Sequence, residues 1–300
     1  MPKNHWGDHV YEMTSKFGPL AVGIDPVFEH IPDTFKERTS AHEALMNYIT
    51  ALLETVKGMV GFVKFQSAFF EAFGWEGVRT LSWSIAKARE CGLRVILDAK
   101  RGDIGSTASA YARAYLTPTS AEGSNLEVDC MTINPFLGID TLQPFVDCAK
   151  KFGKGLFVLV KTSNEGAGWI QNFTHENEIV SERIARVVNA WAEETLGERG
   201  LSAIGAVVGI TYPEDGHRIR NLMPDSVFLA PGFGPQGGSL EAFGSLMRSK
   251  KHDGVVVPMS RAITMPDNIL MSEENYRALL SERIETYQSN LKKICNMDVS

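Results

Sequence analysis

Residues 93–116 read LRVILDAKRGDIGSTASAYARAYL, and the stretch changes character halfway along. Its first half, LRVILDAK, is a short β-rich apolar run that closes on charged residues. After a turn containing Gly102, the run ASAYARAYL has the composition of a helix, with Ser106 or Thr107 expected as its N-cap. A nearly continuous apolar strand followed at once by a helix is one β/α unit, of the kind whose strands are covered on both faces.

The same strand signal occurs seven more times: LAVGID (20–25), VGFVKFQ (60–66), VDCMTINP (128–135), GLFVLVKTS (155–163), IGAVVGIT (204–211), SVFLAPGFG (226–234) and GVVVPMSR (254–261). Helical segments lie between, among them AHEALMNYITALLETVKG (41–58) and WEGVRTLSWSIAKAREC (75–91). The clearest is SERIARVVNAWAEETLG (181–197), where Ile184, Val187, Val188, Trp191 and Leu196 recur at helical spacing. Ser181 is expected to open that helix and Gly197 to end it. Eight units in 300 residues predict a single-domain α/β fold, a closed (β/α)8 TIM barrel. An open doubly wound sheet is the alternative. No composition break divides the chain, so one domain is expected over 1–300, with a helical tail from about residue 266.

Composition narrows the function. With 30 basic and 36 acidic side chains the net charge is −6, and 44% of residues are hydrophobic. These values exclude a disordered chain and argue against electrostatic binding to nucleic acid or an anionic membrane. No run approaches the ~20 apolar residues a membrane span needs. The opening MPKNHWGDHV lacks the apolar core of a signal peptide, so a soluble, cytoplasmic protein is expected. The four cysteines and seven histidines are scattered, with no metal-ligand spacing.

In such barrels the C-terminal strand ends carry the site. Asp98 and Lys100 stand two apart on one strand, so both side chains should point into the barrel mouth. Asp103 follows after the turn, and Lys64 ends the neighbouring strand. Opposed charges of this kind, partly desolvated, tolerate one another only as an array. A purely structural ion-pair network is the competing explanation. Thr132 and Thr211 are adequately explained as strand ends where loops begin; repeated charges such as Lys161 after apolar runs are not.

The stretch DAKRGDIGST (98–107) carries the D-x-K-x-x-D signature and resembles the orotidine 5′-monophosphate decarboxylases, most closely their longer bacterial branch. VGIDP, VKFQSAFFE, TINPFLG, VKTSN, APGFGPQGG and SRAI follow the family's order, from about residue 18 to about 265. The resemblance implies cofactor-free, metal-free loss of CO2 from orotidine 5′-monophosphate, giving UMP in de novo pyrimidine biosynthesis. It implies that Lys100 protonates C6, that Asp98 faces the substrate carboxylate, and that Lys64 bridges Asp98 and a ribose hydroxyl. Asp25 would take the other side of the ribose and Ser163 the pyrimidine amide edge. Gln236 and Arg261 would hold the phosphate, with backbone N–H groups near Gly237 and Ser260, under a closing loop 232–239. It also implies a homodimer in which Asp103 and Thr107 reach the neighbouring subunit's site. Two rival functions share the scaffold: a Mg-dependent sugar-phosphate decarboxylase or aldolase, and a catalytically silent nucleotide-binding barrel.

Overall fold

All eight apolar runs become parallel strands. In the computed structural model, described over residues 4–37, 39–209, 213–232, 240–248 and 253–295, they are β1 (Leu20–Ile24), β2 (Phe62–Gln66), β3 (Arg94–Arg101), β4 (Cys130–Ile133) and β5 (Gly155–Lys161). After a two-residue-per-strand hairpin, β6 (Thr174–His175) and β7 (Glu178–Ile179), come β8 (Ile204–Val208), β9 (Phe228–Leu229) and β10 (Val255–Met259). The strand order β1-β10-β9-β8-β5-β4-β3-β2 closes on itself, with Leu20 opposite Val257 and Val22 opposite Val63. Both edges of β1 are paired, so the sheet is a barrel and the open-sheet alternative fails.

Strand alternation sorts the residues into two cores. Leu20, Val22, Val63, Val95 and Leu97 face outward beneath the helices. Ala21, Phe62, Ile96, Cys130, Phe157 and Val256 point inward and fill the barrel. The helix Trp6–Phe17 sends Trp6 into this inner core, 1% exposed, with its ring 6.0 Å from Phe62 and 6.1 Å from Phe157. Burial, and then the nearby Asp129 charge, raise the pKa of the Cys130 thiol well above its usual value.

The helix Ala41–Val56 starts on a complete capping box between Ser40 and Glu43. Two helix ends differ from expectation. The helix after β3 spans Gly105–Leu116 with Ile104 as N-cap and no side-chain cap; Asp103 Oδ1 instead accepts from the Ile104 N–H at 2.8 Å. The helix expected over 181–197 spans Val180–Glu193. Gly197 lies beyond it in a turn where its N–H donates to Leu201 O, and Leu196 bridges to Ser202.

The last helix, Glu273–Cys295, occupies the eighth place in the helical ring, between Ala41–Val56 and Leu240–Leu246. Tyr276, Leu280, Ile284 and Leu291 are fully buried there, and the rings of Phe35, Tyr48 and Tyr276 pack against one another. Among the described residues, no helix is long and apolar enough to cross a membrane.

Candidate active site

The period of two that fills the barrel floor also builds its mouth. Phe62 and Ile96 point into the apolar interior, so Lys64 and Asp98, two residues further along β2 and β3, point inward one layer higher. Lys64 Nζ donates to Asp98 Oδ2 at 3.1 Å, and Lys100 Nζ donates to Asp98 Oδ1 at 2.6 Å. The Thr132 hydroxyl adds a bond to Oδ1 at 3.0 Å. The Gln66 amide, oriented to satisfy both its ends, donates to Oδ2 at 3.0 Å and to the Asp98 carbonyl at 2.6 Å. Burial alone would raise the Asp98 pKa, but Lys64 and then Lys100 outweigh it and hold the carboxyl down at about 2. Burial works equally against charge on Lys64, where Asp98 and then Asp25 prevail and raise its pKa. Both groups are ionised at neutral pH.

Lys100 does not reach this array by simple alternation. Between Leu97–Met131 and Arg101–Ile133 the ladder shifts register, β3 advancing four residues while β4 advances two. The excess is absorbed at Lys100, whose φ is +49°, a left-handed conformation that costs a non-glycine residue about 1–3 kcal/mol. Its N–H leaves the ladder and donates to Thr132 Oγ1 at 2.8 Å.

A cavity of about 1700 Å³ opens above the array. Asp25, Lys64, Asp98 and Lys100 line one part of it; Ser163, Ser260 and Arg261 line another. Two glycines make room for the serines. A Cβ on Gly23 would lie 2.0 Å from Ser260 Oγ, and one on Gly209 would lie 2.8 Å from Ser163 Cβ.

Other expected residues are placed differently. Asp103 and Thr107 are not among the cavity-lining residues, and among the described residues Asp103 forms no ion pair with Lys100. Gln236, Gly237 and most of loop 232–239 lie outside the described residues, as does Thr211. Lys161 is a correction. β5 carries one extra residue between Leu159 and Lys161, which flips the alternation and pairs Lys161 with outward-facing Val208. Its ammonium pairs with Asp215 at 3.0 Å and donates to Asn172, so it is a structural ion pair. Thr132, in contrast, is fully buried and bonded to both Asp98 and Lys100. The helix Glu273–Cys295, expected only as a helical tail, contributes Arg283, Thr286 and Tyr287 to the cavity wall. Helical spacing alone gave no signal for that.

A closed (β/α)8 barrel with charged groups converging at the C-terminal strand ends is the architecture of a barrel enzyme. Residues 19–270 match the model of the orotidine 5′-phosphate decarboxylase / HUMPS family, and the chain belongs to that family. It is 40% identical to the orotidine 5′-phosphate decarboxylase of Rhodopirellula baltica, over 81% of this chain and 82% of that one. It is 36% identical to the enzyme of the same name from Caldicellulosiruptor bescii, covering 99% of both chains. Among solved structures, Leishmania donovani OMP decarboxylase superposes with a TM-score of 0.75 at 27% identity, covering 97% of this chain and 98% of that one.

Proposed function

We propose that this protein decarboxylates orotidine 5′-monophosphate to UMP and CO2 in de novo pyrimidine biosynthesis. The observation that carries the reading is the ionised Asp98 held between Lys64 and Lys100 at the cavity floor. The chemistry is demanding because the electron pair left at C6 lies in the ring plane, orthogonal to the π system. Preorganised charge must stabilise it. Lys100 serves both needs: its ammonium faces the charge developing as the C6–carboxylate bond breaks, then donates its proton to C6. Asp98, kept ionised, repels the substrate carboxylate before CO2 leaves and nothing afterwards.

The remaining contacts grip parts that do not react. Lys64 and Asp25 take the ribose hydroxyls, and Ser163 takes the pyrimidine edge. Arg261 offers a planar fork to the 5′-phosphate, with the backbone near Ser260 and with Gln236 and Gly237 assigned to the same group. Binding energy from that remote group helps to organise the reacting end. The protein acts in the cytoplasm as a homodimer, in which Asp103 and Thr107 complete the partner's site. That arrangement accounts for two signature residues lying outside their own chain's cavity. The exposed side chains of Ile104, Phe136 and Leu137 lie on the loops after β3 and β4, where a partner would cover them.

The test is incubation of purified protein with orotidine 5′-monophosphate while following loss of orotate-ring absorbance. Turnover unaffected by EDTA and abolished in a folded Lys100→Ala variant is expected. Turnover that requires Mg²⁺ would favour the metal-dependent relatives, and ordinary activity in Lys100→Ala would remove Lys100 from its role.

A further inference from the structure

The left-handed backbone at Lys100 needs something to hold it. Its φ of +49° falls where an L-residue with a long side chain is rarely found, and no glycine relieves it. The neighbouring ladder does not supply the restraint directly, because the register slips between Leu97 and Arg101 and resumes only with Asn134 N–H donating to Arg101 O at 2.8 Å. Inside the slip, the Lys100 N–H has one partner among the described residues, the Thr132 hydroxyl at 2.8 Å. The same oxygen donates its own proton to Asp98 Oδ1 at 3.0 Å, the oxygen that Lys100 Nζ contacts at 2.6 Å. Thr132 is 0% exposed, so water does not compete for its hydroxyl.

We propose that Thr132 is a positioning residue for the reaction: one buried hydroxyl fixes the Lys100 main chain and the Asp98 carboxylate in a single geometry. The inference rests on the function proposed above. The chain of contacts runs Lys100 N–H to Thr132 Oγ1, and Thr132 O–H to Asp98 Oδ1, so the hydroxyl uses its donor and one acceptor lone pair in the array. Each partner constrains the other. Accepting from Lys100 leaves the hydroxyl proton directed at Asp98, and donating to Asp98 presents a lone pair to Lys100. Valine has the same shape without the hydroxyl, so it takes the acceptor away from the Lys100 N–H and removes one of the donors to Asp98. The strained residue is then free to relax toward an ordinary strand conformation, which moves the ammonium away from the reacting carbon. Misplacement on that scale is felt in turnover more than in ground-state binding.

The experiment compares wild type, Thr132→Val and Thr132→Ser. In Thr132→Val, kcat for orotidine 5′-monophosphate should fall by roughly 30-fold to 1000-fold while the Kd for UMP stays within about threefold. Thr132→Ser, which keeps the hydroxyl, should recover kcat to within about tenfold of wild type. Amide hydrogen exchange at Lys100 supplies a readout independent of turnover: it should quicken at least about tenfold in Thr132→Val and return in Thr132→Ser. If Thr132→Val does not fold, Thr132→Ala takes its place with the same expectations. A folded hydroxyl-free variant with kcat within threefold of wild type, or a serine variant as damaged as valine, overturns the proposal. If wild type does not decarboxylate the nucleotide, the proposed function falls, and unchanged Lys100 exchange in Thr132→Val then removes the positioning role as well.

Discussion

Asp25 Oδ1 lies 3.8 Å from Lys64 Nζ, beyond hydrogen-bond reach, and is buried with no hydrogen-bond partner among the described residues. A buried carboxylate oxygen in that condition is an acceptor with its capacity unspent, and a ribose hydroxyl is the donor that suits it. Asp25→Ala should therefore weaken UMP binding by about tenfold to a hundredfold, the usual range for a hydrogen bond to a charged group. Calorimetric titration measures it. Affinity within threefold of wild type would move the ribose elsewhere.

The charge on Asp98 makes stability depend on pH in one direction. Burial would raise its pKa from 3.8, but Lys64 and Lys100 bring it down to about 2. A carboxyl with a depressed folded pKa stabilises the fold fully above its unfolded pKa and loses that contribution as pH falls through the folded one. The drop of roughly 1.8 units corresponds to about 2 kcal/mol, lost between about pH 4 and pH 2. Urea unfolding over that window should show a steeper loss for wild type than for Asp98→Asn. Parallel curves would contradict the assignment.

Arg261 stands exposed at the cavity rim beside Ser260. Its replacement by alanine should lower kcat/KM by roughly 100-fold to 10,000-fold, at about 1.4 kcal/mol per tenfold. Added guanidinium should restore part of the loss, since a planar cation is what is missing. Wild-type behaviour in Arg261→Ala would place the phosphate site somewhere else.

If Asp103 serves the partner's site, two dead variants should revive each other. In a mixed dimer of Lys100→Ala and Asp103→Ala, one site carries both lesions and the other carries none. Random mixing makes half the dimers mixed, so co-refolding should restore about a quarter of wild-type activity. A site built within one chain gives no recovery.

Arg220 supports a stability prediction away from the chemistry. Buried to 7% exposure, it donates to the carbonyls of Leu246, Met223, Ser226 and Gly254, and its guanidinium lies 3.7 Å from the Phe228 ring centroid. Burial, then the nearby Arg248, lower its pKa to about 9. Arg220→Ala leaves four carbonyls short of a donor and should cost at least about 3 kcal/mol in denaturant unfolding. A loss under 1 kcal/mol would show that the cage relaxes or admits water.

The strands were legible because both their faces are buried, which writes an uninterrupted apolar run into the chain. Lys64, Asp98 and Lys100 were legible because charges that end such runs have few structural explanations. What misled was parity. One extra residue in β5 turns Lys161 away from the mouth, and a two-residue slip in β3 brings Thr132 into contact with both Asp98 and Lys100. A bulge leaves no composition signal, so the alternation rule transfers an error to every residue beyond it. Arg220 was hidden for a different reason: in PEDGHRIRNL it has the setting of a solvated helix residue, and only the neighbouring turns supply its carbonyl cage. Gly197 sits where a helix-ending glycine belongs, yet its close neighbours are Asp8 and His5, which leave no room for a Cβ. Sequence spacing does not distinguish those two demands.

Ring closure has a consequence for the order of events on the ribosome. β1 pairs with β10, so Leu20 waits for Val257, and the gap beside the helix Ala41–Val56 is filled by Glu273–Cys295. Throughout most of synthesis the nascent chain therefore carries an apolar strand with one unsatisfied edge, the condition that invites pairing with other chains. A ribosome stalled before Val255 would hold an arc with both ends open. The growing polypeptide stays vulnerable to aggregation until Val255–Met259 and Glu273–Cys295 emerge, which makes elongation speed over the codons for those segments a determinant of yield.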